Sequence, residues 1–132
     1  MSRKLPALTA ENRSFWQGGQ QGRLMISRCG DCKSWFHPPA PVCPICTSLN
    51  VASQPVSGRG TVYSYTINYQ AWDAELADPF VIAIVALPEQ EGLRFLSNVV
   101  GCDPSEVHID MAVRVIFEQV DDVWIPLFEK DA

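Results

Sequence analysis

The sequence predicts a mainly β protein, in which a short N-terminal helix and a small metal-binding ribbon precede a five-stranded barrel. Three observations predict this class. Two Cys-x-x-Cys pairs lie between Cys29 and Cys46, a segment with helix signals precedes them, and the second half alternates strand patterns with turn residues. We expect residues 1–21 to form a helical segment, 22–54 the ribbon and 55–132 the barrel domain.

Length and composition allow a folded core and argue against two classes of partner. The chain has 132 residues, of which 47% are hydrophobic, so disorder is not expected. No apolar run reaches the roughly 18 residues of a membrane span, and no signal-peptide pattern opens the chain, so we expect a cytoplasmic protein. The net charge of −5 disfavours nucleic-acid binding unless the few cations cluster.

The leading segment carries the signals of one short helix. Thr9 is suited to be its N-cap, and Gly18-Gly19 ends it, which predicts a helix over residues 10–17. Eight residues do not hold a helix by themselves, so Phe15 and Trp16 must dock. They pack either on the body of the chain or on a partner at an interface.

The four clustered cysteines predict a metal site. A Cys-x-x-Cys turn aims two sulfurs at one point, and a second such turn completes a tetrahedron. The ligands are expected to be Cys29, Cys32, Cys43 and Cys46. Four cysteines leave no open coordination position, so a bound zinc ion stabilises structure and performs no chemistry, and His37 is not needed as a fifth ligand.

Other chemistries of these cysteines are less favoured. Two disulfides would suit a secreted protein, and a redox motif would explain only one of the pairs. A more specific alternative is an iron ion in a rubredoxin-type electron carrier. Such carriers usually place Gly after the second cysteine of each pair, where this chain has Lys33 and Thr47. Cys102, outside the cluster, is expected to be a small apolar filler.

Strand patterns surround and follow the cysteines. In the ribbon, residues 22–28 and 35–37 are predicted as strands and 47–55 as a connection. Beyond it, five antiparallel strands are predicted at 61–69, 80–87, 93–100, 113–117 and 123–128.

Details of the second half favour a small barrel. Strict alternation places Tyr63, Tyr65, Ile67 and Tyr69 on one face. A one-turn helix is predicted at 103–106, and Pro126 indicates an edge or a bulge in the last strand. The strand count fits an OB-fold, with an SH3-like barrel as the alternative.

Taken in order, these motifs resemble a known family. The matching residues are Phe15-Trp16, Gly22-Arg23-Leu24, Pro38-Pro39, Cys43-Pro44-Ile45-Cys46, Ser57–Tyr65, Pro79-Phe80, Gly92-Leu93-Arg94 and Val113–Phe117. The chain is similar to DUF35 proteins, which join a rubredoxin-like zinc ribbon to an OB-fold and associate with acyl-CoA enzymes. Two departures stand out, since Lys33 and Asp110 stand where the family often has Gly.

The resemblance implies a non-catalytic subunit that binds or bridges acyl-CoA enzymes of the thiolase-like or hydratase-like kind. The residue inventory agrees, because no nucleophile–base pair is recognisable, and the acidic turn with Glu89 and Glu91 is expected to be solvated.

A site for acyl-CoA needs cations for its phosphates and aromatic walls. The candidate cations are Arg59 and Arg94, and the candidate walls are Trp16, Phe36 and Tyr65. A working surface is expected from the leading helix across the ribbon to the barrel, because Trp16, Trp35 and Phe36 sit on short elements with little capacity to bury them. Single-stranded nucleic-acid binding, through stacking on tyrosines, is the competing function, and the acidic balance disfavours it.

Overall fold

A computed structural model describes residues 5–69 and 79–131, so residues 1–4 of the predicted N-terminal segment lie outside it. Within these two ranges the chain has one short α-helix, two 3-10 turns and eight strands. Their bounds are α1 (Arg13–Gln17), β1 (Met25–Cys29), β2 (Trp35–Phe36), β3 (Val51–Pro55), β4 (Arg59–Asn68), β5 (Phe80–Ala86), β6 (Arg94–Val100), β7 (Ala112–Val120) and β8 (Val123–Lys130), with 3-10 turns at Gly18–Gln21 and Pro104–Glu106. No helix in the described ranges is long and apolar enough to cross a bilayer.

The leading helix is shorter than predicted, and its N-cap is Asn12, so the expectation of Thr9 as the cap was wrong. Thr9 and Asn12 exchange side-chain-to-backbone hydrogen bonds, with Asn12 Oδ1 accepting from Thr9 N at 2.7 Å and Thr9 Oγ1 accepting from Asn12 N at 3.3 Å. This reciprocal pairing satisfies amides that a helix start leaves free. The following 3-10 turn packs directly against the barrel. A side chain at Gly19 would not fit there, since its Cβ would lie 2.4 Å from Trp124 Cβ.

The ribbon is a three-stranded antiparallel sheet in the order β2-β1-β3. The predicted connection at 47–55 was wrong in part, since Val51–Pro55 pairs with β1 over five residues. Its residues show little apolar alternation, so the pattern does not reveal a strand that backbone pairing with β1 holds in place.

The second half closes into a barrel in the order β4-β5-β6-β8-β7, which confirms the mainly β prediction with a five-stranded barrel. One pairing differs from the antiparallel expectation, because β6 and β8 run parallel at Val99↔Phe128 and Val100↔Glu129. At Pro126 the ladder partner is Phe117 of β7, and no β6 residue pairs there. The residue therefore occupies a locally edge-like position, as its missing amide hydrogen requires.

A bulge in β4 overturns one facing prediction. The register with β5 shifts between Val62 and Ser64, so Tyr63 is 49% exposed while Tyr65 and Ile67 pack against the core. One extra residue changes the parity of the strand, and side chains beyond it exchange faces. Tyr63 and Tyr65 therefore do not share a face.

One continuous core joins the leading helix, the ribbon and the barrel. Phe15 packs against Phe95, which in turn meets Phe128, with ring centroids 5.6 Å and 5.9 Å apart. Trp35 and Phe36 are only 8% and 7% exposed, so the expectation that short elements leave them uncovered was wrong. The barrel end supplies the cover that the ribbon alone lacks.

Candidate metal centre and flanking clefts

The two cysteine turns have nearly the same hydrogen bonding. In the first, the amides of Asp31 and Cys32 donate to Cys29 Sγ, both at 3.4 Å. In the second, the amides of Ile45 and Cys46 donate to Cys43 Sγ at 3.4 and 3.5 Å. Backbone donors of this kind stabilise thiolates, which are the metal-binding form of cysteine.

The four sulfurs converge on one point. Cys29 Sγ lies 3.5 Å from Cys46 Sγ, and Cys32 Sγ lies 3.6 Å from Cys43 Sγ. All four ligand atoms lie within 4.8 Å of one another. A tetrahedron with Zn–S bonds of about 2.3 Å has sulfurs about 3.8 Å apart, so these residues fit one structural zinc ion.

Electrostatics at the cluster show why a cation belongs there. Hydrogen bonds from the hydroxyl and amide of Ser34 lower the pKa of the Cys32 thiol to about 6. The amide of Ser48 acts to lower the pKa of Cys46, but hydrogen bonding with Cys29 and burial outweigh it and raise the pKa of Cys46 to about 12. Neighbouring thiolates repel one another, and a central dication removes that repulsion.

Each turn ends in a left-handed residue. Lys33 has φ of 65° and Thr47 has φ of 63°, and their amides donate to the carbonyls of Cys29 and Cys43 at 3.1 and 3.0 Å. Asp110, the second departure from the family pattern, has φ of 67°. The backbone shape that Gly adopts freely is therefore kept at both departures, at a steric cost for residues with a Cβ.

Asp31 is a stabilising residue of the centre that sequence reasoning missed. Its carboxylate accepts hydrogen bonds from the Ser48 hydroxyl and from Asn50 Nδ2, the latter at 3.2 Å. These bonds lower the pKa of Asp31, with Ser48 as the larger cause. The first cysteine turn is thereby tied to the chain that follows the second, and the Asp at this position was the only signal in the sequence.

His37 lies away from the metal ligands, in the aromatic core. Its ring centroid is 5.0 Å from that of Phe15 and 5.0 Å from that of Phe95. Burial lowers the pKa of His37 to about 4, so the imidazole is neutral near pH 7. Its role is packing, in agreement with the four-ligand prediction.

Two clefts lie at the start of the leading helix. The first measures ≈410 Å³ and is bounded by Phe15, Trp16, His37 and the prolines after it. The second measures ≈330 Å³ and lies between the helix start and the ribbon, beside the 78% exposed Leu49. Glu11 and Pro41 line both clefts, so the surface around the helix start is continuous.

The predicted ligand-facing residues lie in several places. Trp16 is half-buried beside the first cleft, Phe36 is buried, and Tyr65 packs against the core. Arg59 lines a separate ≈330 Å³ cleft with Thr61, Ala86 and Leu87 and lies 3.9 Å from an Asp131 carboxylate oxygen. Arg94 lies over the Tyr63 ring at 3.8 Å. The structure therefore does not gather all five into one groove.

Comparisons with known proteins agree with this geometry. Residues 16–52 match the profile described as "ChsH2, rubredoxin-like zinc ribbon domain", and residues 53–118 match "ChsH2, C-terminal OB-fold domain". A solved structure named "Ltp2-ChsH2(DUF35) aldolase" superposes with a TM-score of 0.85, covering 97% of this chain and 100% of that chain at 32% identity.

Two curated relatives carry different names. A "DUF35 domain-containing scaffold protein" of Methanothermobacter thermautotrophicus is 35% identical over 86% of this chain and 85% of its own length. A "Probable enoyl-CoA hydratase alpha subunit" of Thermomonospora curvata is 35% identical over 96% of this chain but only 39% of its own length. The chain thus spans about two-fifths of the hydratase subunits it matches.

Proposed function

The chain belongs to the DUF35 family of zinc-ribbon and OB-fold proteins, and from this premise we propose that it is a non-catalytic subunit of a thiolase-like or hydratase-like enzyme of acyl-CoA metabolism. The observation that carries the proposal is the match over the whole length of a chain in the structure named "Ltp2-ChsH2(DUF35) aldolase". Scaffold names among the relatives favour a binding role over catalysis.

The site chemistry supports a role without catalysis. The four cysteines would fill the coordination sphere of a zinc ion and leave no position for water or substrate. His37 is packed between aromatic rings, and burial raises the pKa of the Cys102 thiol, which makes that sulfur a poor nucleophile. Within the described ranges, these groups form no nucleophile–base pair.

We place the enzyme contact at the leading helix and its two clefts. Trp16 stands edge-on to Phe15, with ring centroids 4.8 Å apart, and keeps part of its surface open beside the first cleft. A half-buried Trp on a rigid aromatic base loses little freedom on binding, and Trp is enriched among residues that anchor interfaces.

The finer part of the proposal is contact with acyl-CoA, which we place at the cleft of Arg59. The Arg59 side chain is 76% exposed and its contact with Asp131 is long, so its guanidinium remains open to a phosphate. Leu87 and Pro88 on the same cleft supply apolar surface for the pantetheine arm.

The test is binding of the purified chain to the thiolase-like and hydratase-like enzymes of its own organism. Truncation of an interface anchor costs about 2 kcal/mol or more, so Trp16→Ala is expected to weaken binding at least about 30-fold. Arg13→Ala, on an exposed residue of the same helix, is the matched control. Equal binding by wild type and Trp16→Ala would place the contact elsewhere.

Single-stranded nucleic acid remains the competing ligand, with less support. Base stacking along β4 needs tyrosines on one face, whereas Tyr63 is exposed and Tyr65 packs against the core. Failure of the wild type to bind the enzyme, together with tight binding of oligonucleotides at physiological salt, would favour that function instead.

A further inference from the structure

The outer face of the barrel carries a group of exposed apolar side chains that the proposed function does not use. Tyr63, Leu96 and Ile109 are 49%, 66% and 52% exposed. Large apolar residues standing alone on a surface are ordinary, but adjacent ones tend to mark contacts with other molecules. Whether these three are adjacent is decided by strand register.

Strand register brings them together. Leu96 of β6 pairs with Ile84 of β5, and Ile84 pairs with Ser64 of β4. Tyr63 precedes Ser64 in the bulge, so it lies across β5 from Leu96, about 10 Å away at two strand spacings. Ile109 enters from the loop before β7, where the amide of Asp110 donates to the Val62 carbonyl at 2.8 Å.

The bulge turns the tyrosine outward and keeps the core intact. Val62, just before it, is completely buried, and Tyr65, just after it, packs inward. Tyr63 and Ser64 are exposed in succession at the inserted residue, where the alternation of inward and outward side chains is interrupted. Bulges commonly re-aim one side chain in this way.

Arg94 gives this face its charge. Its guanidinium lies 3.8 Å from the centroid of the Tyr63 ring. Arg114 of β7 is paired with Glu129 at 2.9 Å, and Arg59 of β4 has only a long contact with Asp131 at 3.9 Å. Among the residues that the structure describes, Arg94 forms no such ion pair. A guanidinium that is held flat and lacks an acid is ready to receive one from another protein.

From this juxtaposition we infer that Tyr63, Arg94, Leu96 and Ile109 form a docking surface for a protein segment that presents a carboxylate among apolar side chains. The inference rests on the proposed function, because the segment belongs to the partner enzyme. This docking surface shares no residue with Trp16 and the clefts at the leading helix. In it, Arg94 contacts a protein and not acyl-CoA. Acyl-CoA contact then remains with Arg59.

Charge complementarity indicates which kind of protein segment binds this docking surface. The chain is acidic overall, with a net charge of −5, so it repels most acidic surfaces at long range. An arginine framed by a tyrosine and two aliphatic side chains favours an acidic group in one position only, which sets the orientation of the complex. Half-buried Ile84 continues the apolar floor between the two sides.

The experiment measures the affinity of the enzyme that binds the wild-type chain for wild type, Leu96→Asp and Arg94→Glu. Each change places a negative charge where the partner's carboxylate is expected, so each should weaken binding by about tenfold or more. Gln119→Asp adds the same charge at an exposed position of β7 and should change affinity less than about twofold. Far-ultraviolet circular dichroism and zinc content verify folding.

The outcomes separate this inference from the proposed function. If the wild type binds the enzyme and both Leu96→Asp and Arg94→Glu bind it equally well, the docking surface is overturned and the proposed function stands. Absence of binding by the wild type removes the proposed function and this surface together. Unchanged enzyme binding by Arg94→Glu with loss of coenzyme A binding would assign Arg94 to the ligand and overturn the protein contact.

Discussion

The side chain of Gln90 pairs with the backbone of Trp35 as a neighbouring strand would. Gln90 Oε1 accepts from Trp35 N at 2.9 Å, and Gln90 Nε2 donates to Trp35 O at 3.0 Å. Because β2 is an edge strand of the ribbon sheet, this carboxamide supplies hydrogen-bond partners on its outer side. The β5–β6 turn of the barrel thereby holds the ribbon, and Glu89 beside it accepts from the Ser57 amide at 2.8 Å.

Gln90→Ala is expected to destabilise the protein by about 1–3 kcal/mol, because it leaves two buried backbone groups of Trp35 without partners. Urea unfolding measures the change, and Glu91→Ala in the same turn, at an exposed position, is the control. Equal stability of Gln90→Ala and wild type would show that water replaces the amide at no cost.

Cys43→Ser is expected to abolish stoichiometric zinc and to lower the melting temperature, because metal binding and ribbon folding are coupled. Cys43 is completely buried, and its sulfur accepts two backbone amides. Metal analysis and calorimetry provide the measurements, with Cys102→Ser as the cysteine control. A variant without zinc that melts like wild type would contradict a structural role.

Lys33→Gly is expected to stabilise the protein by about 0.5–1 kcal/mol, because Gly adopts the left-handed conformation without the Cβ penalty. Lys33→Ala removes the same long side chain but keeps the Cβ, so it should not stabilise. Thermal melts of the three zinc-loaded proteins test this, and equal gains from both variants would attribute the effect to the lost side chain.

Stability should fall as pH is lowered from 7.5 to 5, partly because of His37. In the unfolded state His37 has the ordinary histidine pKa of 6.5, whereas burial keeps its folded-state pKa at about 4. The unfolded state therefore binds more protons between these values, and stability rises with pH across that window. At pH 5 the contribution of His37 lowers the free energy of unfolding by up to about 2 kcal/mol relative to neutral pH.

His37→Phe preserves the aromatic packing and removes the titration, so its loss of stability between pH 7.5 and 5 should be smaller than that of wild type. Urea unfolding at both pH values, with zinc content measured at each, tests this expectation. Parallel losses in the two proteins would mean that His37 is protonated freely in the folded state.

The isolated chain is expected to hydrolyse or condense no acyl-CoA thioester above the buffer rate. Burial is the main cause that raises the pKa of Cys102, and Glu106 adds to it, so little thiolate forms at neutral pH. Thiol release from an acyl-CoA is the measurement. Turnover that Cys102→Ala abolishes would identify a nucleophile and contradict a purely non-catalytic subunit.

Local signals predicted much of the site and of the barrel. The spacing of the four cysteines was sufficient for the zinc ligands, because two such turns point their sulfurs to one place whatever surrounds them. The turn predicted at 103–106 is likewise present as a 3-10 turn that Asp103 caps, since its hydrogen bonds involve near neighbours.

Features that depend on distant contacts were missed. The pairing of Val51–Pro55 with β1 follows from backbone hydrogen bonds that no side-chain pattern encodes. Trp35 and Phe36 were expected on a surface, because the ribbon alone is too small to bury them and the cover comes from the barrel end and the leading helix.

The sequence by itself determined the four-cysteine cluster that fits zinc, the class of fold and the family, because each rests on residue types at fixed spacings. Only the tertiary structure decided which aromatic and charged side chains face outward. One inserted residue in β4 places Tyr63 and Tyr65 on opposite faces of the strand. Arg94 then lies over the Tyr63 ring, which the bulge exposes. Periodicity along the chain does not record such a shift, since its cause is the pairing of two strands.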